Sequence, residues 1–357
     1  MPPVGDAAWV ASQLSRAVML KDESAYDALF SGQTNAGSRE WTWQNMIALK
    51  DVSFGVSDDD TLVAYWRAPN DVASASQHIG RISCPAANEC ALTDIGPQVA
   101  WPAPIWAVQP IDILVEGQVT VLAPAGSTTA SDWLSAAESA GVAVASAGLP
   151  SVLRGWNGAL VVELPKDSAA LAHVLGVATV ADFTTTGAIT WTENTGYSPS
   201  PGDIINQMAA VHIVVNPSTT ASLTAAQRVL LLTHEAVHVA TSNWVIAPGA
   251  TWVSEGLAEN VAVAADPATA ADEANLAKGA CTADGLTPPS DDAFKGSDAA
   301  SLMQAYATAQ VLIGLVRANL GDAASDALLS LLVGQPVLGN DASSVDLPAW
   351  SKQWCES

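Results

Sequence analysis

The feature that most constrains this chain is a pair of histidines one helical turn apart. The segment His234–His238 reads HEAVH and lies where the pattern predicts a helix ending near Thr241. Thr224, with Gln227 three residues later, forms the capping box that begins such a helix. Histidines at positions i and i+4 lie on one face, so both imidazoles can reach one tetrahedral metal ion. Glu235 projects from the adjacent flank, where it can contact a water at the metal without being a ligand.

Two histidines leave a catalytic zinc site one protein ligand short. Pro248 and Gly249 predict a turn, and residues 251–260 read TWVSEGLAEN. Sixteen residues separate His238 from Glu255, enough for a turn and a second helix that packs back against the first.

The spacing of these residues resembles the gluzincin branch of zinc peptidases, whose third ligand is a glutamate on the following helix. Trp252–Glu259, with its pattern WxxEGxAE, is similar to the corresponding helix of the aminopeptidase branch and of related bacterial peptidase-like proteins. The resemblance covers about residues 211–320 and implies that Zn²⁺ is bound by three ligands: His234, His238 and Glu255. The metzincin pattern does not fit, because no HxxGxxH follows the first histidine.

The same resemblance implies roles for two more acidic residues. Glu235 would be the general base that activates a water at the zinc ion. Glu259, one turn beyond the glutamate ligand, would accept a hydrogen bond from His234, which fixes the tautomer and makes the ligand more basic. The alternative for Glu259 is a solvated carboxylate on a helix face.

A tyrosine that stabilises the oxyanion is also expected from the aminopeptidase branch. Tyr306 falls roughly at the corresponding place, at the start of an apolar helix that extends to Leu320. Ordinary core packing of that helix is the competing explanation. Tyr197, in a loop rich in proline, glycine and serine, is a second candidate for this role.

The strand before the zinc helix, Val211–Asn216, would be a sheet edge in zinc peptidases, antiparallel to bound peptide. His212 within it is interpreted as structural, as are His78 and His173, which lack partners at metal spacing. The aminopeptidase branch also binds the substrate amine with a GxMEN stretch in this region. Residues 208–216 read MAAVHIVVN and lack that glutamate, so an endopeptidase or a narrow-specificity peptidase is expected.

The whole chain predicts an α+β fold with two domains. Residues 1–100 predict a small α+β domain that resembles the nuclear-transport-factor-like domains, and the proline-rich residues 101–110 predict a linker. Residues 111–357 predict a zincin-like metallopeptidase domain with a mixed sheet, an active-site helix and a helical C-terminal part. Periodicity predicts these helices and strands: helices at 6–31, 131–145 and 167–175; strands at Val52–Val56, Leu62–Arg67, Gln77–Ser83, Val119–Leu122, Ala159–Leu164, Ala188–Thr192 and Val211–Val215.

The charge of the chain excludes several partners. Thirty-six acidic side chains stand against thirteen lysines and arginines, a formal net charge of −23. Such a surface repels nucleic-acid phosphates and anionic lipid headgroups. No run of about 18 or more apolar residues occurs, so no membrane span is expected. The predicted partner is a peptide or protein substrate, and the sequence leaves the oligomeric state open.

The cysteines bear on the compartment. Four are present, without a CxxC pair, so a zinc ribbon is not expected. The simplest of the three possible pairings joins Cys84 to Cys90 and Cys281 to Cys355, whereas four free thiols are the alternative. Disulfides require an oxidising compartment, which favours a secreted or cell-envelope protein with a leader or anchor outside this chain over a cytoplasmic one.

Two further functions remain open at this point. The zincin fold could serve as a binding or maturation module with little turnover, or the zinc site could hydrolyse something other than a peptide. Glu235 argues against the binding module, because a purely structural zinc site needs no general base.

Overall fold

A computed structural model of the chain describes these residues: 5–31, 36–49, 51–57, 60–86, 88–97, 101–149, 156–193, 210–242, 245–295, 298–334 and 345–357. They form two compact units. Unit 1 takes its residues from Met1–Leu134, Ala159–Tyr197 and Met208–Ser222, and unit 2 from Ser135–Gly158, Ser198–Gln207 and Leu223–Ser357. Helices and sheets are mixed and the C-terminal part is helical, as the sequence predicted. The predicted domain boundaries, 1–100 and 111–357, stay a prediction.

Unit 1 contains most of the strands. Its elements, in chain order, are α1 Ala7–Leu20, α2 Glu23–Asp27, α3 Ala36–Ala48, β1 Asp51–Val56, β2 Thr61–Arg67, β3 Ala75–Ser83, β4 Ala91–Ile95, α4 Ile105–Val108, β5 Ile111–Glu116, β6 Val119–Pro124, the start of α5 Ala130–Ser146, β7 Leu160–Glu163, α6 Ser168–Leu175, β8 Ala188–Thr192, β9 Val211–Val215 and α7 Pro217–Thr220.

The single helix predicted over residues 6–31 is instead two helices, α1 and α2. Lys21 ends α1 in the left-handed conformation, with φ of 55°, and its N–H bonds back to the last turn. Asp22 then caps α2 by accepting a hydrogen bond from the Ala25 N–H. The apolar periodicity continues across this break, which is why the pattern alone predicted one helix. The predicted strands are present with small shifts of their ends.

Two sheets organise unit 1. Strands β1 to β4 form an antiparallel sheet in sequence order, whereas the second sheet is mixed, in the order β5-β6-β7-β9-β8. Strand β9 was expected at a sheet edge, but it lies between β7 and β8 and pairs with both. Its backbone is therefore not free to bind an added peptide strand, and that expectation was wrong. Among the described strands, the edges of this sheet are β5 and β8.

The segment predicted as a linker, 101–110, contains a buried element. Helix α4 places Ile105 and Trp106 at 0% exposure in the core of unit 1. The buried Asn45 side chain donates to the carbonyls of Trp106 and Gln109, at 2.8 Å each, and accepts from the Ile111 N–H. An amide that satisfies three backbone groups out of water holds this segment in place.

Unit 2 is helical among its described residues. It contains the rest of α5, then α8 Ala225–Thr241, α9 Thr251–Ala262, α10 Pro267–Lys278, α11 Ala299–Leu320, α12 Ala324–Val333 and α13 Leu347–Glu356. Helix α9 packs between α8 and α11. The approach to α11 is close at Gly256, where an added Cβ would lie 2.6 Å from the Ala309 carbonyl oxygen. The absence of a side chain there allows α9 and α11 to touch.

The helical stretch Ala299–Val333 is long and apolar enough to cross a membrane by length and composition. Core helices meet the same criteria, and 44% of its most apolar window is buried within the protein. The expectation that this chain has no membrane span stays a prediction.

Both predicted disulfides are present. Cys84 bonds to Cys90 in unit 1, and Cys281 bonds to Cys355 in unit 2, with sequence separations of 6 and 74. Because all four cysteines are paired, the alternative of free thiols is excluded. Disulfides are more typical of proteins outside the cytosol, in keeping with the predicted location.

The two disulfides should differ in their contributions to stability. A bridge stabilises mainly by limiting the unfolded chain, and the effect grows with loop length. We expect Cys281→Ala/Cys355→Ala to lower the free energy of unfolding by about 4 kcal/mol, and Cys84→Ala/Cys90→Ala by about 2 kcal/mol. Urea unfolding followed by tryptophan fluorescence measures both. An equal or larger loss from the Cys84–Cys90 pair would contradict this account.

Candidate metal centre

Helix α8 begins as its sequence predicted. The Thr224 hydroxyl accepts from the Gln227 N–H, and the Gln227 side chain accepts from the Thr224 N–H. This capping box fixes the first turn. The apolar face of the helix, which includes Leu232 and Ala236, is buried. His234 and His238 lie one turn apart on a partly exposed face, with side chains 13% and 18% exposed.

Three side-chain atoms converge beside this face. Nε2 of His234 and Nε2 of His238 are 3.1 Å apart, and each lies 3.2 Å from Oε2 of Glu255. Two ligands of one tetrahedral zinc ion are about 3.3 Å apart, because each bond is about 2.0–2.1 Å long. The three atoms therefore have the separation that a single ion requires, and together they form a candidate metal-binding group.

Helix α9 carries the third of these residues and is held at its N-terminus by a distant side chain. The Asp291 carboxylate accepts from the N–H groups of Gly249, at 2.8 Å, and Thr251, at 3.2 Å. Ala250, the residue before α9, has no side chain that can cap the helix, and the Asp291 carboxylate takes over this role. This contact and the close approach at Gly256 fix the position of Glu255.

The neighbouring histidines stabilise the ionised form of Glu255. Burial favours the neutral acid, but His238 and His234 outweigh it and hold the pKa of Glu255 far below its ordinary value. Burial likewise favours the neutral imidazole of His234, but Glu255 and Glu259 raise its pKa well above the ordinary value. The carboxylate is thus anionic at neutral pH, as a metal ligand must be.

Glu259 lies behind the first histidine. Its Oε2 is 2.8 Å from Nδ1 of His234, on the side of the ring away from the triangle of candidate ligands. The raised pKa of His234 means that a metal ion would have to displace the proton from Nε2. The ring would then keep its proton on Nδ1, towards Glu259, and direct its Nε2 lone pair towards Glu255 and His238. The contact with His234 is the one expected of Glu259, and its role behind a metal ligand stays a prediction.

A third carboxyl group, which the sequence analysis did not identify, supports this contact. Glu273 of α10 neighbours Glu259, and burial together with that carboxylate raises the pKa of Glu273 to about 9. At pH 7 Glu273 is therefore a neutral acid, able to donate its proton to the Glu259 carboxylate. Such a donation would extend the contact behind His234 by one hydrogen bond.

The second histidine has a weaker neighbour. Ser254 Oγ lies 3.4 Å from Nδ1 of His238. Ser254 directly precedes Glu255, but neither its spacing nor its type indicated this contact.

Two more predicted residues are described, Glu235 next to His234 on α8 and Tyr306 on α11. Glu235 is buried, with 7% of its surface exposed. The Tyr306 ring centroid lies 5.8 Å from that of His234 and packs edge-on against Phe294 at 5.3 Å. Burial, with the charges of Glu255 and Glu235, raises the pKa of Tyr306 above its ordinary value, so the phenol keeps its proton and can donate it in a hydrogen bond. Tyr197 lies outside the described residues.

No family model, no curated protein and no solved structure matches this chain.

A pair of identical substitutions tests the hydrogen-bond chain behind His234. Glu259→Gln removes the anionic acceptor and should weaken zinc affinity about 10–100-fold. Glu273→Gln replaces one neutral donor by another, so its affinity should stay within about threefold of the parent. Competition with a chromophoric chelator measures both constants. Equal losses in the two variants would contradict the assigned proton positions.

Proposed function

We propose that this protein is a zinc-dependent peptidase of the gluzincin type, with a zincin-like fold around α8 and α9. The observation that carries the proposal is the triangle of His234, His238 and Glu255 atoms with sides of 3.1–3.2 Å. A buried glutamate, Glu235, follows His234 on α8 and is not one of its corners. A structural metal site would not need that extra acid, whereas hydrolysis does.

Zinc bound at the triangle would lower the pKa of a water and polarise a substrate carbonyl. Glu235 follows His234 on α8, and its carboxylate accepts the proton of the attacking water. It then passes that proton to the leaving amine, as general base and afterwards general acid. Its burial keeps bulk water from competing for the proton.

Two other groups complete the proposed mechanism. The Tyr306 phenol, which keeps its proton, donates a hydrogen bond to the oxyanion that develops on the substrate. Glu259 keeps the proton of His234 on Nδ1, so that Nε2 stays free to bind the metal. Neither residue has to change its charge during turnover.

The proposed substrate is a peptide or protein. The chain lacks the glutamate with which the aminopeptidase branch binds a free amine, so we propose endopeptidase or narrow-specificity cleavage. The two disulfides favour action in a secreted or cell-envelope setting.

Glu235→Gln tests the general base. The amide cannot accept the proton of the water, so the rate of chelator-sensitive cleavage should fall about 10²–10⁴-fold. Zinc content should stay at about one equivalent for this site, because Glu235 is not a ligand. His234→Ala is the matched comparison and should lose zinc and activity together. The assay uses casein and a peptide library, with zinc measured by mass spectrometry.

Two results would contradict the proposal. Cleavage by Glu235→Gln at the parental rate would exclude Glu235 as the general base. Bound zinc in the parent protein without any chelator-sensitive cleavage of casein or the library would favour a binding module.

Tyr306→Phe tests the oxyanion donor. Loss of one such hydrogen bond should lower kcat about 10²–10³-fold, with little change in KM, because the bond forms in the transition state. Tyr65→Phe, on an exposed tyrosine of unit 1, is the matched control and should leave both constants unchanged. An unchanged kcat in Tyr306→Phe would mean that Tyr306 serves only in packing.

A further inference from the structure

A second cluster of ionisable side chains lies inside unit 1, within the mixed sheet and its neighbours. His212 is in β9, Glu163 ends β7, and Glu193 directly follows β8. Trp191 pairs with His212, and Glu163 pairs with Val214. Because side chains alternate between the faces of a strand, the histidine and both glutamates fall on one face.

The donor atoms of these residues are close together. Nδ1 of His212 lies 2.9 Å from Oε1 of Glu163 and 3.6 Å from Oε1 of Glu193. On the other side of the ring, Nε2 lies 3.0 Å from Oδ2 of Asp71. The side chains of the histidine and of the two glutamates are at most 1% exposed. The cluster is therefore shielded from water and brought together by four separate segments.

The charges of the cluster do not balance. Three carboxylates surround one imidazole, and among the described residues no lysine or arginine forms an ion pair with Asp71, Glu163 or Glu193. Even with His212 protonated, fully ionised carboxylates would leave two negative charges in a water-free interior. Uncompensated charge is strongly destabilising in a water-free interior, so a positive species is needed here.

Two oxygen atoms identify where that species would lie. Oε2 of Glu163 and Oε1 of Glu193 are buried without a hydrogen-bond partner. The other oxygen of Glu193 accepts from the Gln77 amide, which is itself fixed by the Trp66 indole N–H at 2.8 Å. The unpartnered oxygens are thus held in place. Buried polar atoms without partners are rare in folded proteins and mark places where an ion or water belongs.

We propose that His212, Glu163 and Glu193 bind a divalent first-row transition-metal ion inside unit 1. Asp71 accepts the Nε2 proton of His212, which leaves the Nδ1 lone pair for the metal, as carboxylates behind ligand histidines commonly do. One imidazole nitrogen and several carboxylate oxygens suit ions such as Zn²⁺ or Mn²⁺. The ion would replace the missing positive charge and satisfy both unpartnered oxygens.

The competing occupant is a proton. Burial, with the nearby charge of Glu163, raises the pKa of Glu193 to about 7, so a protonated glutamate could relieve part of the charge. Against three carboxylates, one proton on Glu193 and one on His212 would still leave one negative charge uncompensated in the cluster. Metal analysis separates the two occupants directly.

The test uses the full chain with the candidate metal centre of unit 2 removed by substitution. The variant His234→Ala/His238→Ala/Glu255→Gln removes the metal centre of unit 2 and leaves unit 1 unchanged, so the result does not depend on the proposed peptidase. Produced with added zinc and then desalted, it should retain about one equivalent by mass spectrometry. Zinc X-ray absorption should show one imidazole among oxygen neighbours. No retained zinc, or a coordination shell with more than one imidazole, would overturn the proposal.

A second substitution localises the ion. Glu193→Gln added to this variant should lower zinc affinity at least about 10-fold, whereas Glu116→Gln, at an exposed glutamate of β5, should leave it unchanged. Circular dichroism checks that both proteins are folded. Equal affinity in the two would place the ion elsewhere and overturn the proposal. If Glu193→Gln does not fold, the absorption spectrum of the starting variant decides the matter.

Discussion

The candidate metal centre of unit 2 depends on two helices that carry complementary side chains at the same spacing. Helix α8 presents two histidines one turn apart, and α9 presents Glu255 and Glu259 one turn apart. Glu259 contacts Nδ1 of His234, and Glu255 lies close to Nε2 of both histidines. The capping box of α8, the Asp291 contact at α9 and the missing side chain at Gly256 all serve to keep this match in place.

The sequence predicted those parts of the site that depend on local spacing. His234, His238, Glu255 and Glu259 lie at i and i+4 positions, and helical periodicity alone puts each pair on one face. The capping box of α8 is local in the same way. Contacts between distant segments had no such signal. Glu273 comes from a helix that the pattern did not indicate, and Asp291 reaches α9 from 40 residues or more along the chain.

The fold shows the same division between local and non-local features. Seven of the nine described strands follow from periodicity, as do α5 and α6, but α3, β4 and β5 were not predicted. Lys21 breaks the first helix through its backbone conformation, which periodicity does not encode. The order of strands in the mixed sheet depends on pairing between distant segments, which periodicity does not encode. The strand β9 was therefore expected at an edge, although it lies in the interior of the sheet. His212 was interpreted as structural because its acidic neighbours lie on other strands. The sequence did contain one signal of this cluster: each of two apolar strands carries a single ionisable residue, Glu163 in β7 and His212 in β9.

The central claim is that the triangle in unit 2 holds a zinc ion. Anomalous diffraction from crystals grown with zinc, recorded on both sides of the zinc absorption edge, tests it most directly. The account predicts an anomalous peak about 2.0–2.2 Å from the two histidine nitrogens and the Glu255 carboxylate. Well-ordered side chains at these positions without an anomalous peak between them would contradict it.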